Sequence, residues 1–141
     1  MSETLKIALT AFGGICVFVI GQIISKLFIE PIYEQRIVIG NVADALIYNA
    51  GWIGNPGNAD PHGERTIASD VLRQISCNLM AKTHAVPWYR LLTLLSVVPK
   101  YETIFESHRH LIFLSNSLFQ GNSRDNQDAV KKIKELLRMN F

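Results

Sequence analysis

The chain has 141 residues, of which 48% are hydrophobic and 18% are charged, and its formal net charge at pH 7 is +2. This length accommodates one domain with its own core and excludes two of ordinary size. The small net charge gives no electrostatic reason to expect double-stranded nucleic acid as a partner. Apolar residues are concentrated near the N-terminus, which shifts the composition toward that of membrane proteins.

The first predicted element is an apolar helix. The segment Ile7 to Ile24 contains 18 residues without a charge, and as a helix it would be about 27 Å long, which matches the hydrocarbon thickness of a bilayer. No pair of small residues with cleavage-site spacing follows it. We therefore expect residues 1–30 to hold an uncleaved transmembrane helix rather than a signal peptide. The alternative is a core helix of a soluble protein.

Flanking charges and cysteines predict how this helix is oriented. Lys6 precedes the apolar segment, and Lys26 and Arg36 follow it, so the positive-inside rule favours a cytoplasmic C-terminal part. Cys16 lies inside the apolar segment and Cys77 far beyond it, which argues against a disulfide and for a reducing compartment. We predict a single-pass membrane protein whose C-terminal part is cytoplasmic.

One face of the apolar helix is predicted to mediate self-association. Helical spacing places small or short side chains on that face, namely Thr10, Gly14, Val17, Gly21 and Ser25. Small residues let membrane helices approach closely, and this packing supplies association energy where lipid offers no hydrophobic drive. Gln22 lies beside the face, where its amide would line a pore, bond to another helix or reach water at the membrane interface. The pattern predicts a homo-oligomer in contact with membrane lipid.

Residues 31–141 are predicted to form a cytosolic bundle of four or five helices, so the fold class is all-α. Pro31 either kinks one continuous helix or begins a new one. The elements predicted after it are a Gly/Pro-rich loop at 54–64, a short apolar segment at 88–98, and helices at 65–86, 100–119 and 123–141. In the 65–86 helix the expected inward residues are Ile67, Val71, Ile75, Leu79 and Met80.

Two short groups of residues in the predicted bundle suggest contacts with another helix or with a ligand. Ser115, Asn116 and Ser117 share one helical turn, a pattern typical of close helix approach, and Asn116 is the candidate register residue of an oligomer. The compact group at 88–90, Trp-Tyr-Arg, is open to two interpretations. It either stacks against a base or nucleotide or packs against a neighbouring helix.

No residue set predicts an enzyme, a metal centre or a bound cofactor. His108 and His110 are two residues apart and therefore point to different helix faces, with no Cys or carboxylate to complete a metal site. Cys77 lies mid-helix, away from a helix N-terminus of the kind that activates cysteines, so we expect a buried, unreactive thiol. Phosphate loops, nucleophile elbows and zinc-protease motifs are missing from the sequence.

The last predicted helix carries a basic cluster, formed by Lys131, Lys132, Lys134 and Arg138. On an amphipathic helix such a cluster can contact anionic lipid headgroups or an anionic ligand. The alternative is an ordinary solvent-facing surface.

Four stretches after residue 30 carry a loose resemblance: EPIYEQRIVIG, SDVLRQISCNLMA, VPWYRLLTLLSVVP and LIFLSNSLF. Through them the chain is similar to small, mostly uncharacterised bacterial membrane proteins with one span and a helical cytosolic part. Some proteins of this layout are membrane effectors of anti-phage defence, in which the cytosolic part senses a signal and the spans perturb the membrane. The resemblance implies an oligomeric, pore-forming or membrane-disrupting effector whose bundle responds to a protein or nucleotide-type signal. The alternative is a membrane-tethered adaptor whose bundle docks a protein partner.

Overall fold

The computed structural model describes residues 2–141, and this part of the chain is all-helical, without a strand. The elements are α1 Glu3–Ile24, a π-helical turn Ser25–Ile29, α2 Glu30–Tyr48, α3 Ala50–Gly54, α4 Glu64–Ala85, α5 Tyr89–Leu94, α6 Tyr101–Gln120 and α7 Ser123–Leu137. The predicted all-α class and the long apolar N-terminal helix are confirmed.

α1, the π turn and α2 form one unbroken helix of 46 residues, Glu3–Tyr48. Pro31 gives a physical reason for the π turn. It has no N–H to donate to the carbonyl of Leu27, four residues earlier, and in a regular α-helix its ring would clash with that carbonyl. The wider turn just before Pro31 accommodates the ring. In this turn the Glu30 N–H donates to the carbonyl of Ser25, five residues earlier, rather than to the residue four earlier as in a regular α-helix. Of the two alternatives for Pro31, the continuous helix is the one observed.

The helices α2, α4, α6 and α7 pack around one apolar core, with α4 between α2 and α6. The aliphatic side chains with no exposed surface are Val42, Leu72, Leu79, Ile104, Leu111, Leu114, Leu118 and Ile133. Burying each of these stabilises the fold by about 1.5–3 kcal/mol. The core begins at Val38 on α2 and therefore excludes the whole of α1 and the π turn.

The inward face of α4 differs from the predicted one. Its buried residues are Ala68, Ser69, Leu72, Ser76, Leu79 and Thr83. Ile67 is 61% exposed, so of the predicted stripe only Leu79 is fully inside. The small side chains of the true face let α6 approach closely, a consideration that a search for apolar periodicity does not include.

Candidate functional site

α1 leaves its apolar side chains uncovered. None of its residues is buried, and its large hydrophobic side chains are between 47% and 72% exposed. A core helix of a soluble protein would instead be mostly buried in its own chain. α1 is therefore not a core helix of this chain, and it is long and apolar enough to cross a bilayer.

The small-residue face of α1 is open in the single chain. A Cβ added at Gly14 or Gly21 would meet no atom within 4 Å, and Val17 is 72% exposed. The hydroxyl of Thr10 donates to the carbonyl of Lys6 at 3.0 Å, so its hydrogen-bonding potential is met within its own helix. Ser25, on this face, and Gln22, beside it, are both exposed. The face is free to contact lipid or a second helix.

A buried amide forms hydrogen bonds at the junction between the long helix and the bundle. Gln35, five residues into α2, has no exposed surface. Its Nε2 donates to Thr83 Oγ1 on α4 at 2.9 Å and to Tyr89 Oη on α5 at 3.1 Å. The Tyr89 hydroxyl in turn donates to the carbonyl of Pro99 at 2.7 Å. One side chain of α2 thereby joins α4, α5 and the segment leading to α6.

The hydrogen-bond pattern fixes the orientation of the Gln35 amide. Thr83 Oγ1 already donates its only hydrogen to the carbonyl of Leu79, and Tyr89 Oη donates its own to Pro99. Both hydroxyls must therefore accept from Gln35, which requires Nε2 and not Oε1 to face them. Oε1 is left buried without a partner, which costs about 1–3 kcal/mol.

The surroundings of the Tyr89 phenol also shift its pKa. Burial raises the pKa of Tyr89 above its ordinary value, and the negative charge of Glu102 acts in the same direction. The hydrogen bond from Gln35 lowers the pKa and partly offsets these two effects. The hydroxyl is therefore protonated at neutral pH and holds Pro99.

An ion pair lies next to this junction. Lys82 Nζ on α4 is 2.7 Å from Glu34 Oε2 on α2, and both side chains are 41% exposed. At that exposure the pair contributes about 0.2–1 kcal/mol. This pair therefore adds little to the attachment of α2 to α4, which comes mainly from the apolar core that the two helices share.

The contact between α4 and α6 is built from small polar residues. Ser69 Oγ donates to the carbonyl of Ser115 at 2.8 Å. Ser76 Oγ donates to the carbonyl of His108 at 3.0 Å, and the His108 Nδ1 lies 2.7 Å from the same oxygen. Because the Ser76 hydrogen is already used, Nδ1–H is the donor in that second contact. His108 is thus a structural residue at the edge of the core.

The Ser115–Ser117 turn lies close to neighbouring helices, as its composition predicts, but the contacts are made by the two serines and not by Asn116. Ser117 Oγ donates to Asn126 Oδ1 on α7 at 2.6 Å, and Asn126 Nδ2 donates to the carbonyl of Ile53 at 2.9 Å. Asn116 is exposed and accepts from Arg73. The structure therefore gives Asn116 an intrachain surface partner, and the buried polar residue of this region is Asn126.

Gln35 and Asn126 were missed by the sequence reasoning although a signal for both existed. Each stands three and seven residues before buried apolar residues of its own helix, Val38 and Val42 for Gln35, Ala129 and Ile133 for Asn126. A polar amide at a core position of the helical repeat is the signal that identifies them.

Three of the four basic residues of the last predicted helix border one groove, and the fourth lies apart. Lys131, Lys134 and Arg138 border an open groove of about 600 Å³ beside the C-terminus, where Lys134 bonds to the carbonyl of Phe141. Lys132 lies apart from them, in a shallow depression with His110. Desolvation is the main cause that lowers the pKa of His110, and the positive charge of Lys132 adds to it.

Arg138 also borders a second groove, of about 560 Å³, together with Arg36 and Lys100. Glu135 is the carboxylate that lines it. Three cations, one in α2 and two in the caps of α6 and α7, therefore border a cleft large enough for a small anion or a lipid headgroup.

The described residues hold no group of three or more His, Cys, Asp or Glu side chains that could bind a metal ion. Both cysteines are free, and Cys77 is exposed on α4 rather than buried as we expected. The inward face of α4 explains this difference. That face passes through Ser76, so the next residue points outward.

Comparison with protein-family models, with curated proteins and with solved structures yields no match for this chain.

Proposed function

We propose that the protein is a single-pass protein of the bacterial inner membrane. In this proposal residues 1–30 hold the transmembrane helix, and residues 31–141 form a cytoplasmic bundle that controls the assembled spans. One observation carries the proposal. A fully unburied apolar helix continues without interruption into α2, whose side chains are part of the bundle core.

The mechanical consequence is direct coupling between the bundle and the span. Gln35 and Val38 anchor α2 in the bundle, and Ser25 on the small-residue face lies only ten residues before Gln35. No flexible linker separates them. A tilt or rotation of α2, caused by a signal that binds the bundle, is therefore transmitted to α1.

Self-association supplies the second part of the proposal. The open face at Gly14 and Gly21 allows two copies of α1 to pack closely in lipid. In such an assembly Gln22 either lines a pore or forms hydrogen bonds between helices. Rearrangement of the spans by the bundle would then open a pore or disrupt the bilayer, which is the activity of a membrane effector. The loose resemblance to anti-phage effectors supplies the biological setting of the proposal.

The test measures membrane potential in cells that express the full chain, with a potential-sensitive dye, alongside crosslinking for self-association. Gly14→Leu and Gly21→Leu place large side chains on the proposed face, and we expect both variants to lose association and depolarisation. Gly13→Leu is the matched control, since Gly13 is equally open but lies off the face. Equal behaviour of all three variants would contradict the proposal.

The adaptor alternative makes a different prediction. If the span only fixes the location of the bundle, replacing residues 3–24 with an unrelated transmembrane helix preserves the function. If the spans act, the same replacement abolishes it while leaving the protein in the membrane.

A further inference from the structure

We propose that α5 and the residues at its two ends form a second membrane contact, which inserts into the headgroup region of the bilayer that α1 spans. The contact surface consists of Trp88, Leu91, Leu94 and Leu95, named here the α5 patch. This inference rests on the proposed function, because it requires α1 to cross a bilayer.

The α5 patch is a concentrated apolar surface that the chain leaves uncovered. Trp88 is 70% exposed, Leu91 48%, Leu94 80% and Leu95 63%. None of the residues of α5 is buried. Single exposed apolar residues are ordinary on a protein surface, but four within eight residues form a patch of the kind that marks an interaction site.

The patch is continuous with the apolar surface of the spanning helix. The ring of Trp88 packs edge-to-face against that of Phe28, with the centroids 5.5 Å apart. Phe28 lies in the π turn between Leu27 and Ile29, which are 54% and 60% exposed. About 20 residues cross the hydrocarbon core, so a span that starts at Ile7 ends near Lys26. The patch therefore lies at the depth where the helix leaves the membrane.

The chemistry of the surrounding residues matches a bilayer interface. Tryptophan is enriched at the boundary between acyl chains and headgroups, because its ring is apolar and its N–H is polar. The exposed cations around the patch are Lys26, Arg36, Arg90 and Lys100. Of the neighbouring carboxylates, Glu34 is paired with Lys82, and Glu30 and Glu102 are exposed without an ion pair among residues 2–141, so the four cations leave the surroundings of the patch net positive. Unpaired cations next to an apolar patch suit the anionic surface of a bilayer.

The fold holds α5 firmly in this position. Trp88 and Ser96, at the two ends of the segment, have left-handed backbone conformations with φ of 50° and 58°. At Ser96 the left-handed residue belongs to a local C-terminal cap of α5, in which the N–H groups of Ser96 and Val97 donate to the carbonyls of Thr93 and Leu92. α2 contacts both ends of the segment, through the Gln35–Tyr89 hydrogen bond at the start and a hydrogen bond from Arg36 to the carbonyl of Val97 at the end. α2 thus fixes both ends of the patch beside the exit of the span.

The test uses tryptophan fluorescence of the full chain in phosphatidylglycerol–phosphatidylcholine vesicles. The chain has two tryptophans, so Trp52→Phe with Trp88→Phe and Leu94→Trp leaves one reporter, at the most exposed patch position. We expect lipids brominated on the acyl chain to quench this reporter and aqueous iodide not to reach it. Trp88→Phe alone is the control. It leaves Trp52, which follows the end of α2 about 30 Å beyond Phe28 and should not respond to bromolipid.

Insertion of α1 is measured in the same vesicles by protection of Cys16 from a water-soluble maleimide. Protected Cys16 together with a reporter that iodide quenches and bromolipid does not would overturn the inference while leaving the proposed function intact. A reporter shielded from both quenchers would also overturn it, and would show that protein covers the patch. Labelled Cys16 would overturn the proposed function and this inference with it.

Discussion

Replacement of the buried Gln35 by methionine is expected to change stability little, although it removes two hydrogen bonds. Methionine has similar length and fills the same space. The two lost bonds contribute about 0.5–1.5 kcal/mol each, but the substitution also removes Oε1, which is buried without a partner and costs about 1–3 kcal/mol. Thr83 and Tyr89 keep their donors satisfied through Leu79 and Pro99. The net change should be within about 1 kcal/mol.

Two companion variants are expected to be costly for separate reasons. Gln35→Ala leaves a cavity at a position without exposed surface, so we expect a loss of about 2–4 kcal/mol. Tyr89→Phe leaves both the Pro99 carbonyl and one Gln35 N–H without partners, and should cost about 2 kcal/mol. Lys82→Met is the control in the same region, because it removes only the half-exposed ion pair with Glu34 and should cost less than about 1 kcal/mol.

The assay is urea unfolding of the full chain in mild detergent, followed by circular dichroism of the bundle transition. We predict similar free energies of unfolding for the wild type, Gln35→Met and Lys82→Met. Those of Tyr89→Phe and Gln35→Ala should be clearly lower. A loss above about 3 kcal/mol for Gln35→Met, with no loss for Tyr89→Phe, would refute the reasoning. It would mean that the two hydrogen bonds from Gln35 Nε2 contribute more than the unpaired Oε1 costs.

Three further results are expected. Asn126→Ala leaves the Ile53 carbonyl without its donor and creates a cavity in the core. It should therefore lower the free energy of unfolding by about 2–4 kcal/mol in the same urea assay. Pro31→Ala lets Ser25–Ile29 return to regular α-helix, so hydrogen exchange of these amides should slow; unchanged exchange would mean that Pro31 does not cause the π turn. Because the pKa of His110 is lowered in the folded state, the unfolded state binds more protons near pH 6. Stability should therefore fall as the pH decreases below about 6.5, and His110→Gln should lessen that fall.

The sequence predicted the helices best where composition and periodicity agree. The amphipathic α7 is an example, since it buries Ala129, Ile133 and Leu137 and most of its remaining positions are polar. The unburied α1 also follows from composition, since a long charge-free segment has few other structural roles. In both elements the decisive information is local in the chain.

The rest depends on contacts that local patterns do not contain. The inward face of α4 is set by its fit against α6, which favours Ser69 and Ser76 over Ile67. The role of Gln35 depends on partners 48 and 54 residues away. The α5 patch has a leucine-rich sequence that equally suits a core, and only the tertiary arrangement leaves it exposed.

The most direct test of the central claim uses the two native cysteines of the full chain. Cys16 lies in the middle of α1, and Cys77 is exposed on the bundle. In intact cells, an impermeant maleimide should label neither thiol. In inverted inner-membrane vesicles it should label Cys77 alone, and Cys16 should react only after denaturation in dodecyl sulfate. Recovery of the protein in the soluble fraction, or labelling of Cys16 as fast as Cys77 in sealed vesicles, would contradict a spanning α1.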